Sequence, residues 1–195
     1  MTESLNEMAS FFDSLSLDWN QRRESNEGIK TLLPHFPIKE GDEVLDVACG
    51  AGILEEYLFS LSHKKITSID LSPGMINEAK KNVSSEIASF SQSDFLTYKG
   101  GPFDVIVLFD AFPHFLDVKA LKEAFLTNLK SGGYFIIAHD LSREGLSKCH
   151  EGLGNSLSRE IKDPQSEFLA FASDFLQIEA KEDERSYLLI GMKIH

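Results

Sequence analysis

The sequence has little cysteine and no long apolar run. Its two cysteines, Cys49 and Cys149, lie far apart in the sequence, which argues against both a zinc knuckle and a disulfide framework. No segment approaches the roughly 20 apolar residues that a membrane-spanning helix needs. The first residues include acidic side chains at positions where a signal peptide has basic ones. We therefore expect a cytoplasmic protein with no membrane association.

Basic residues are also scarce, since 19 Lys and Arg stand against 31 Asp and Glu and give a net charge of −12 at pH 7. Such a chain repels polyanions at long range, so we do not expect nucleic acid as a partner. The 42% of hydrophobic residues are enough to build a real core. The length suits one domain, and we expect a single domain over residues 1–195.

Short apolar runs alternate with segments of helical spacing along most of the sequence. This alternation predicts an α/β fold, a doubly wound three-layer sandwich with helices on both faces of a mostly parallel sheet. Two further runs near the end are joined by a short acidic turn, which predicts an antiparallel carboxyl-terminal pair and a seven-stranded sheet. The predicted strands cover residues 43–48, 65–69, 88–93, 104–109, 134–138, 175–181 and 186–194.

The most informative segment is Val44-Leu-Asp-Val-Ala-Cys-Gly-Ala-Gly52, in which a buried strand breaks into a glycine turn before a helix. Gly50 and Gly52 allow backbone conformations that side chains forbid, and they let a ligand approach the main chain closely. Asp46 lies inside the strand, where a carboxylate is costly to bury unless it is paired or hydrogen-bonded. The segment therefore predicts a ligand site at the turn.

Acidic residues also follow the second and third predicted strands, at the carboxyl edge where open α/β sheets bind ligands. Asp70 ends the second strand and can accept hydrogen bonds from both hydroxyls of a ribose. Asp94 and Phe95 follow the third strand and offer an acceptor for an adenine amino group beside an aromatic face. These residues together predict a nucleoside site.

A dinucleotide site is the obvious rival, but its G-x-G-x-x-G pattern fails. Glu55 stands where the third glycine of that pattern would be. An acidic neighbourhood would also tolerate a sulfonium cation, whereas a pyrophosphate prefers an unopposed helix amino terminus.

The order of these segments resembles class I S-adenosylmethionine-dependent methyltransferases, and in particular small bacterial methyltransferase-domain proteins. The segments that carry the resemblance are residues 44–52, 69–75, 93–95 and 103–108, and it extends over about residues 40–140. It implies a Rossmann-like core, here over residues 41–195, with S-adenosyl-L-methionine as the cofactor. Residues 1–38 have helical spacing and would form an amino-terminal cap or lid.

The resemblance also implies a set of cofactor-binding residues. The glycine turn would cradle the methionine part, the acid after the second strand would hold the ribose, and the residue that closes the fourth strand would line the methyl-transfer cleft. Ala48 departs from the family's pattern, in which glycine is common at that position, although alanine is a tolerated variant. The implied residues are Asp46, Ala48, Gly50, Gly52, Asp70, Leu71, Met75, Asp94, Phe95 and Asp110.

Histidines follow the fourth and fifth strands on the same edge as the cofactor. We hypothesise that His114 or His139 takes a proton from the acceptor, and that both line the substrate site together with His150 and Trp19. Two alternatives stay open, namely that the three histidines collect a metal ion or that local hydrogen bonds hold them in loops. Residues 145–165 are polar and weakly periodic, which predicts a loop or lid.

We therefore expect methyl transfer to an acceptor that the sequence does not identify, and the acidic charge favours a small molecule. One alternative is a transferase that uses a related cofactor, such as decarboxylated S-adenosylmethionine. An alternative from another class is a catalytically silent module that binds S-adenosylmethionine and regulates a partner.

Overall fold

A seven-stranded sheet forms the centre of the computed structural model, which describes residues 3–22 and 26–195. The order across the sheet is β3-β2-β1-β4-β5-β7-β6; the first five in this order pair in parallel, and β7 pairs antiparallel with both its neighbours. The predicted fold class and the antiparallel pair are thus confirmed. The strands are β1 (Val44–Val47), β2 (Ile66–Asp70), β3 (Ala88–Gln92), β4 (Phe103–Phe109), β5 (Leu129–His139), β6 (Phe175–Glu182) and β7 (Tyr187–Lys193).

Helices and two apolar clusters cover this sheet. Successive side chains of a strand point to opposite faces, so Leu45 and Val47 contribute to one cluster while Val44 contributes to the other. The helices are α1 (Glu3–Leu15), α2 (Glu27–Leu32), α3 (Glu55–Ser62), α4 (Pro73–Asn82), α5 (Val118–Asn128), α6 (Arg143–Cys149) and α7 (Pro164–Phe168). None of the described helices is long and apolar enough to cross a membrane.

Local capping rules explain where two of these helices begin. Ser72 precedes α4, its hydroxyl accepts a hydrogen bond from the Met75 amide at 3.1 Å, and Pro73 occupies the first helical position. Asp117 caps α5 by accepting from the Ala120 amide at 2.9 Å. Both caps use residue types that are preferred at the start of a helix, because their side-chain oxygens accept from a free backbone amide.

Most of the amino-terminal region is helical, as predicted, although residues 1, 2 and 23–25 lie outside the described residues. The prediction of a loop over residues 145–165 is wrong at both ends, because α7 begins at Pro164 and α6 extends to Cys149. The side chain of Ser142 caps this helix, and only Leu146 on it is buried. A helix of two turns with one buried residue is too short to show a period in the sequence.

Candidate active site

The glycine turn after β1 adopts left-handed backbone at three positions. Ala48, Gly50 and Gly52 have φ angles of +56°, +55° and +80°. A Cβ atom on Gly52 would lie 2.9 Å from Cγ2 of Val83, so this glycine permits close packing of the turn on α4. Ala48 has a backbone conformation that usually selects glycine, so the backbone of the turn is locally strained.

The acid at the end of β2 joins this turn to the start of α4. The Gly50 amide donates to Oδ2 of Asp70 at 2.9 Å, and the Ser72 amide donates to Oδ1 at 2.8 Å. Burial raises the pKa of Asp70 to about 6, against the lowering effect of these backbone hydrogen bonds. The structure therefore brings the first two sequence motifs together through one carboxyl group.

Two further acids lie beneath the turn. Asp46 is buried, and burial together with the nearby Glu55 and Asp70 raises its pKa well above the ordinary range. Glu55, the first residue of α3, is 0% exposed, and burial raises its pKa to about 7. Sequence reasoning used Glu55 only to reject a dinucleotide site. No sequence signal separates Glu55 from the exposed Glu56 beside it, because two acids in the first turn of a helix are ordinary.

The amino-terminal segment packs against the glycine turn after β1. The indole of Trp19 approaches Gly50 so closely that a Cβ atom there would lie 3.1 Å from its Nε1. Asn20 donates from Nδ2 to the Ala51 carbonyl at 3.1 Å. Asp13 accepts from the Ser72 hydroxyl and from an amide at the start of α4. The sequence singled out Trp19 as part of a lid, but Asp13 and Asn20 were missed.

The residues assigned to the adenine differ in their solvent exposure. Leu71 and Asp94 are half-buried, and Asp94 accepts a hydrogen bond from the Leu96 amide at 3.0 Å. Met75 is buried in the start of α4. Phe95 is 2% exposed and packs edge-on against two phenylalanines of the core, Phe115 and Phe125.

Asp110 follows β4 with a φ angle of +52°, so a second strand end beside the turn also has left-handed backbone. Its Oδ1 accepts from the Asp140 amide at 3.1 Å and lies 3.5 Å from Nδ1 of His139. The His139 ring is 0% exposed, stands edge-on to the Tyr187 ring, and neither of its nitrogens has a hydrogen-bond partner.

His114 lies in the short 3₁₀ turn Phe112–His114 and contacts the amino-terminal segment. Its ring stands edge-on to Phe12 and His150, with centroid distances of 4.9 and 5.0 Å. Its Nδ1 lies 2.7 Å from the Leu157 carbonyl oxygen, which only accepts, so Nδ1 carries the proton and Nε2 keeps a lone pair.

Charge and metal binding at the histidines follow from this packing. Burial lowers the pKa of His114 to about 4 and also lowers the pKa of His150, and the neighbouring His139 adds to both effects. His114 is therefore neutral at pH 7. Over residues 3–22 and 26–195, no group of three His, Cys, Asp or Glu side chains is placed to hold a metal ion.

An open cleft adjoins His150, between α6, the segment after it and the turn that joins β6 to β7. Arg159 forms one wall, where it pairs with the buried Glu167 at 2.8 Å and lies over the Phe112 ring at 4.4 Å. Residues that line the cleft include Pro113, Arg143, Leu146, His150, Arg159 and Glu182. The cleft thus reaches the same 3₁₀ turn that carries His114.

A family model and several curated proteins match this sequence. Residues 18–173 match the family model described as a methyltransferase domain. The chain is 33% identical over 118 residues to phosphoethanolamine N-methyltransferase 3 of Arabidopsis thaliana, which covers 57% of this chain and 24% of that enzyme. It is 30% identical over 103 residues to a ubiquinone biosynthesis O-methyltransferase of Xanthomonas axonopodis pv. citri (strain 306), covering 50% and 43%.

The fold itself is shared with solved structures. The structure of the DhpI–SAH complex superposes with a TM-score of 0.77 at 14% identity, over 100% of this chain and 99% of the other. The chain spans less than half the length of either curated relative named above.

Proposed function

Because the chain belongs to the methyltransferase domain family of S-adenosylmethionine-dependent enzymes, we propose that it transfers the cofactor's methyl group to a small-molecule acceptor. The observation that carries this proposal is the link from Gly50 to Asp70 at the carboxyl edge of the sheet. This link joins the strained glycine turn to the acid after β2 within reach of the amino-terminal segment. The same edge of the sheet therefore holds the turn proposed for the methionine part of the cofactor and the acid proposed for its ribose.

The residues present fit S-adenosylmethionine. The glycine turn carries no side chain at Gly50 or Gly52 that would keep a ligand from the backbone, and Asp46 keeps an unpartnered Oδ2 beneath it. We assign the methionine part to Asp46, Ala48, Gly50 and Gly52, the ribose to Asp70, and the adenine to Leu71, Met75, Asp94 and Phe95. When bound, the cofactor supplies an electrophilic methyl group on a sulfonium.

The chain's own contribution is alignment, exclusion of water and proton removal. Alignment of two reactants can account for about 7–11 kcal/mol of a barrier. Trp19 and its neighbours cover the turn and exclude water from it, which strengthens the electrostatic interactions there. Asp110 lines the methyl-transfer cleft between the cofactor residues and the histidines.

We assign proton removal to Nε2 of His114, with His139 as the second candidate. His114 is neutral at neutral pH, and its Nδ1 is held by the Leu157 carbonyl, so that Nε2 presents its lone pair. His139 is enclosed beside Asp110, and it requires a movement of the surrounding segment before it can reach an acceptor. His150 and Trp19 line the acceptor side.

We place the acceptor in the cleft beside His150, because this cleft opens next to the 3₁₀ turn with His114. The named relatives act on phosphoethanolamine and in ubiquinone biosynthesis, so that both nitrogen and oxygen acceptors occur among them. The net charge of −12 disfavours nucleic acid as the acceptor.

The experiment is calorimetry with S-adenosylmethionine and S-adenosylhomocysteine, followed by turnover with methyl-labelled cofactor. The acceptors are a panel of small amines and phenols, with tRNA and unfolded protein as comparison acceptors. We expect both cofactor forms to bind and label to enter a small molecule. Absence of binding at millimolar concentration contradicts the cofactor assignment. Binding without transfer to any acceptor favours the silent module, and transfer to tRNA alone contradicts the small-molecule assignment.

A further inference from the structure

Three buried carboxyl groups share one face of the sheet beneath the glycine turn. Asp46 and Ser68 are register partners in the parallel pair of β1 and β2, and Asp70 lies two residues beyond Ser68, so all three point to the face that α3 covers. Glu55 reaches the same place from the first turn of α3. The four residues come from three elements, β1, β2 and α3, and converge below the turn.

These groups are short of partners. Oδ2 of Asp46, both carboxyl oxygens of Glu55 and the Ser68 hydroxyl are buried with no hydrogen bond of normal geometry. The Ser68 hydroxyl and the Glu55 and Leu54 amides nevertheless lie close enough to the Glu55 carboxyl to favour its ionised form. No Lys or Arg in the described part of the chain forms an ion pair with Asp46, Glu55 or Asp70. Unpaired buried charge is costly, so a cluster of this kind either binds a cation or keeps protons.

The surrounding charges all act in the same direction. Glu55 faces Asp46 on β1 and Asp70 on β2, the Cys49 thiol lies in the turn beside all three, and Asp13 of α1 approaches Asp70. Every one of these neighbours is acidic or neutral. Burial, with a smaller contribution from Asp70, raises the pKa of Glu55 to about 7 against the lowering effect of hydrogen bonds from Ser68 and two backbone amides. Burial together with Glu55 and Asp70 raises the pKa of Asp46 well above its ordinary range. Two such carboxyls titrate as a pair.

We propose that Glu55 and Asp46 share one proton in the ligand-free chain and release it to solvent when the ammonium group of S-adenosylmethionine binds beside Asp46. Glu55 is then a positioning residue that acts through Asp46, because the incoming cation stabilises the ionised form of both carboxyls. The inference rests on the assignment of the methionine part of the cofactor to the glycine turn.

Cofactor affinity should depend on pH in one direction if binding releases this proton. Below a pH of about 7 the free protein carries the proton, and binding must expel it, so that cofactor affinity rises as the pH rises. Above that value the proton is already lost and the affinity becomes constant. The slope approaches about tenfold in affinity per pH unit when one whole proton is released.

The test is a proton count by calorimetry with S-adenosylhomocysteine, which carries the ammonium group and forms no product. Binding is measured at pH 6.5 in two buffers of different ionisation enthalpy, and affinities are measured from pH 5.5 to 8.5. The comparison ligand is 5′-methylthioadenosine, which has the nucleoside but lacks the amino acid part. We expect release of about one proton with the first ligand and almost none with the second.

Glu55→Gln removes the acid at constant size and should abolish the release and flatten the affinity profile. Glu56→Gln, at the next and exposed position of α3, should leave both as in the unaltered protein. Equal proton release by both ligands, or unchanged release in Glu55→Gln, overturns the proposal while the cofactor assignment stands. Failure of S-adenosylhomocysteine to bind overturns both. If Glu55→Gln does not fold, the comparison of proton release by the two ligands on the unaltered protein still tests the proposal.

Discussion

Asp13 and Gly74 are joined by a hydrogen bond of 2.7 Å, in which the amide at the start of α4 donates to a carboxylate oxygen from α1. The same oxygen accepts from the hydroxyl of Ser72, the residue that caps α4. The amino-terminal helix is therefore tied to the loop that follows Asp70, directly beside the proposed ribose site. A carboxylate at a helix amino terminus is also favoured by the helix dipole.

Asp13→Ala should loosen this attachment. Loss of the paired carboxylate costs about 1–3 kcal/mol because charge-assisted hydrogen bonds are lost. Since α1 leads directly into the segment with Trp19, we also expect cofactor affinity to fall by about tenfold, as a cost of about 1.4 kcal/mol in binding would produce. Thermal unfolding and calorimetry measure the two effects. Glu7→Ala, on the exposed side of the same helix, is the matched control, and unchanged affinity in Asp13→Ala would mean that this segment does not close the site.

Gly50→Ala should separate backbone strain from contact with Trp19. Both Gly50 and Gly132 have positive φ angles, +55° and +74°, but a Cβ on Gly132 meets nothing within 4 Å. Each alanine should therefore cost about 1–2 kcal/mol in unfolding free energy from strain. Only Gly50→Ala should also displace the indole and weaken S-adenosylhomocysteine binding, which calorimetry would show. Equal affinity of the two variants for S-adenosylhomocysteine would argue against a role in binding for the contact between Trp19 and the glycine turn.

His114→Asn should lower kcat by about 100-fold, the usual contribution of a positioned base, with cofactor affinity unchanged. Asparagine still offers a donor for the Leu157 carbonyl but has no basic nitrogen. Because the pKa of His114 is lowered to about 4, the ring stays neutral across pH 6–9, and its titration should produce no inflection in kcat there. Steady-state rates with an identified acceptor measure both effects, and the exposed His195→Ala is the control. A variant that keeps most of its kcat would leave His139 as the candidate base.

Local rules explain which parts of this site were predictable from the sequence. The glycine turn, the Ser72 cap and the acid at the end of β2 are each set by neighbours within a few residues, and parallel strands bring their carboxyl ends to one edge. The hydrogen bond from His114 to Leu157 and the Asp13 contact with Ser72 join residues 43 and 59 positions apart. No spacing pattern encodes such contacts.

Glu55 was unpredictable for a different reason, which is that sequence patterns treat an acid as exposed. Its burial depends on the tight packing of α3 against β1 and β2, so its chemistry becomes visible only when the apolar face around it is assembled. The strand acid Asp46 was recognised because it interrupts an apolar run. Glu55 begins a helix, where an acid is ordinary.

Glu55→Gln should therefore change the pH dependence of stability as well. The pKa of this carboxyl is about 7 in the folded chain against an ordinary value of 4.5, so the folded state binds more protons than the unfolded state between these values. The contribution of Glu55 to the free energy of unfolding then falls as the pH rises from about 4.5 to about 7 and is constant above. At pH 8 the glutamine variant should be more stable than the unaltered chain by on the order of 2–3 kcal/mol, and near pH 4.5 the two should agree.

Urea denaturation of both proteins at pH 4.5 and pH 8 measures this difference, with Glu56→Gln as the control for the loss of one negative charge. A gain at pH 8 that the control does not share identifies the burial of Glu55 as its cause. Equal stability of Glu55→Gln and the unaltered chain at both pH values would show that this carboxyl has a partner in solution, which would also remove the basis for a proton shared with Asp46.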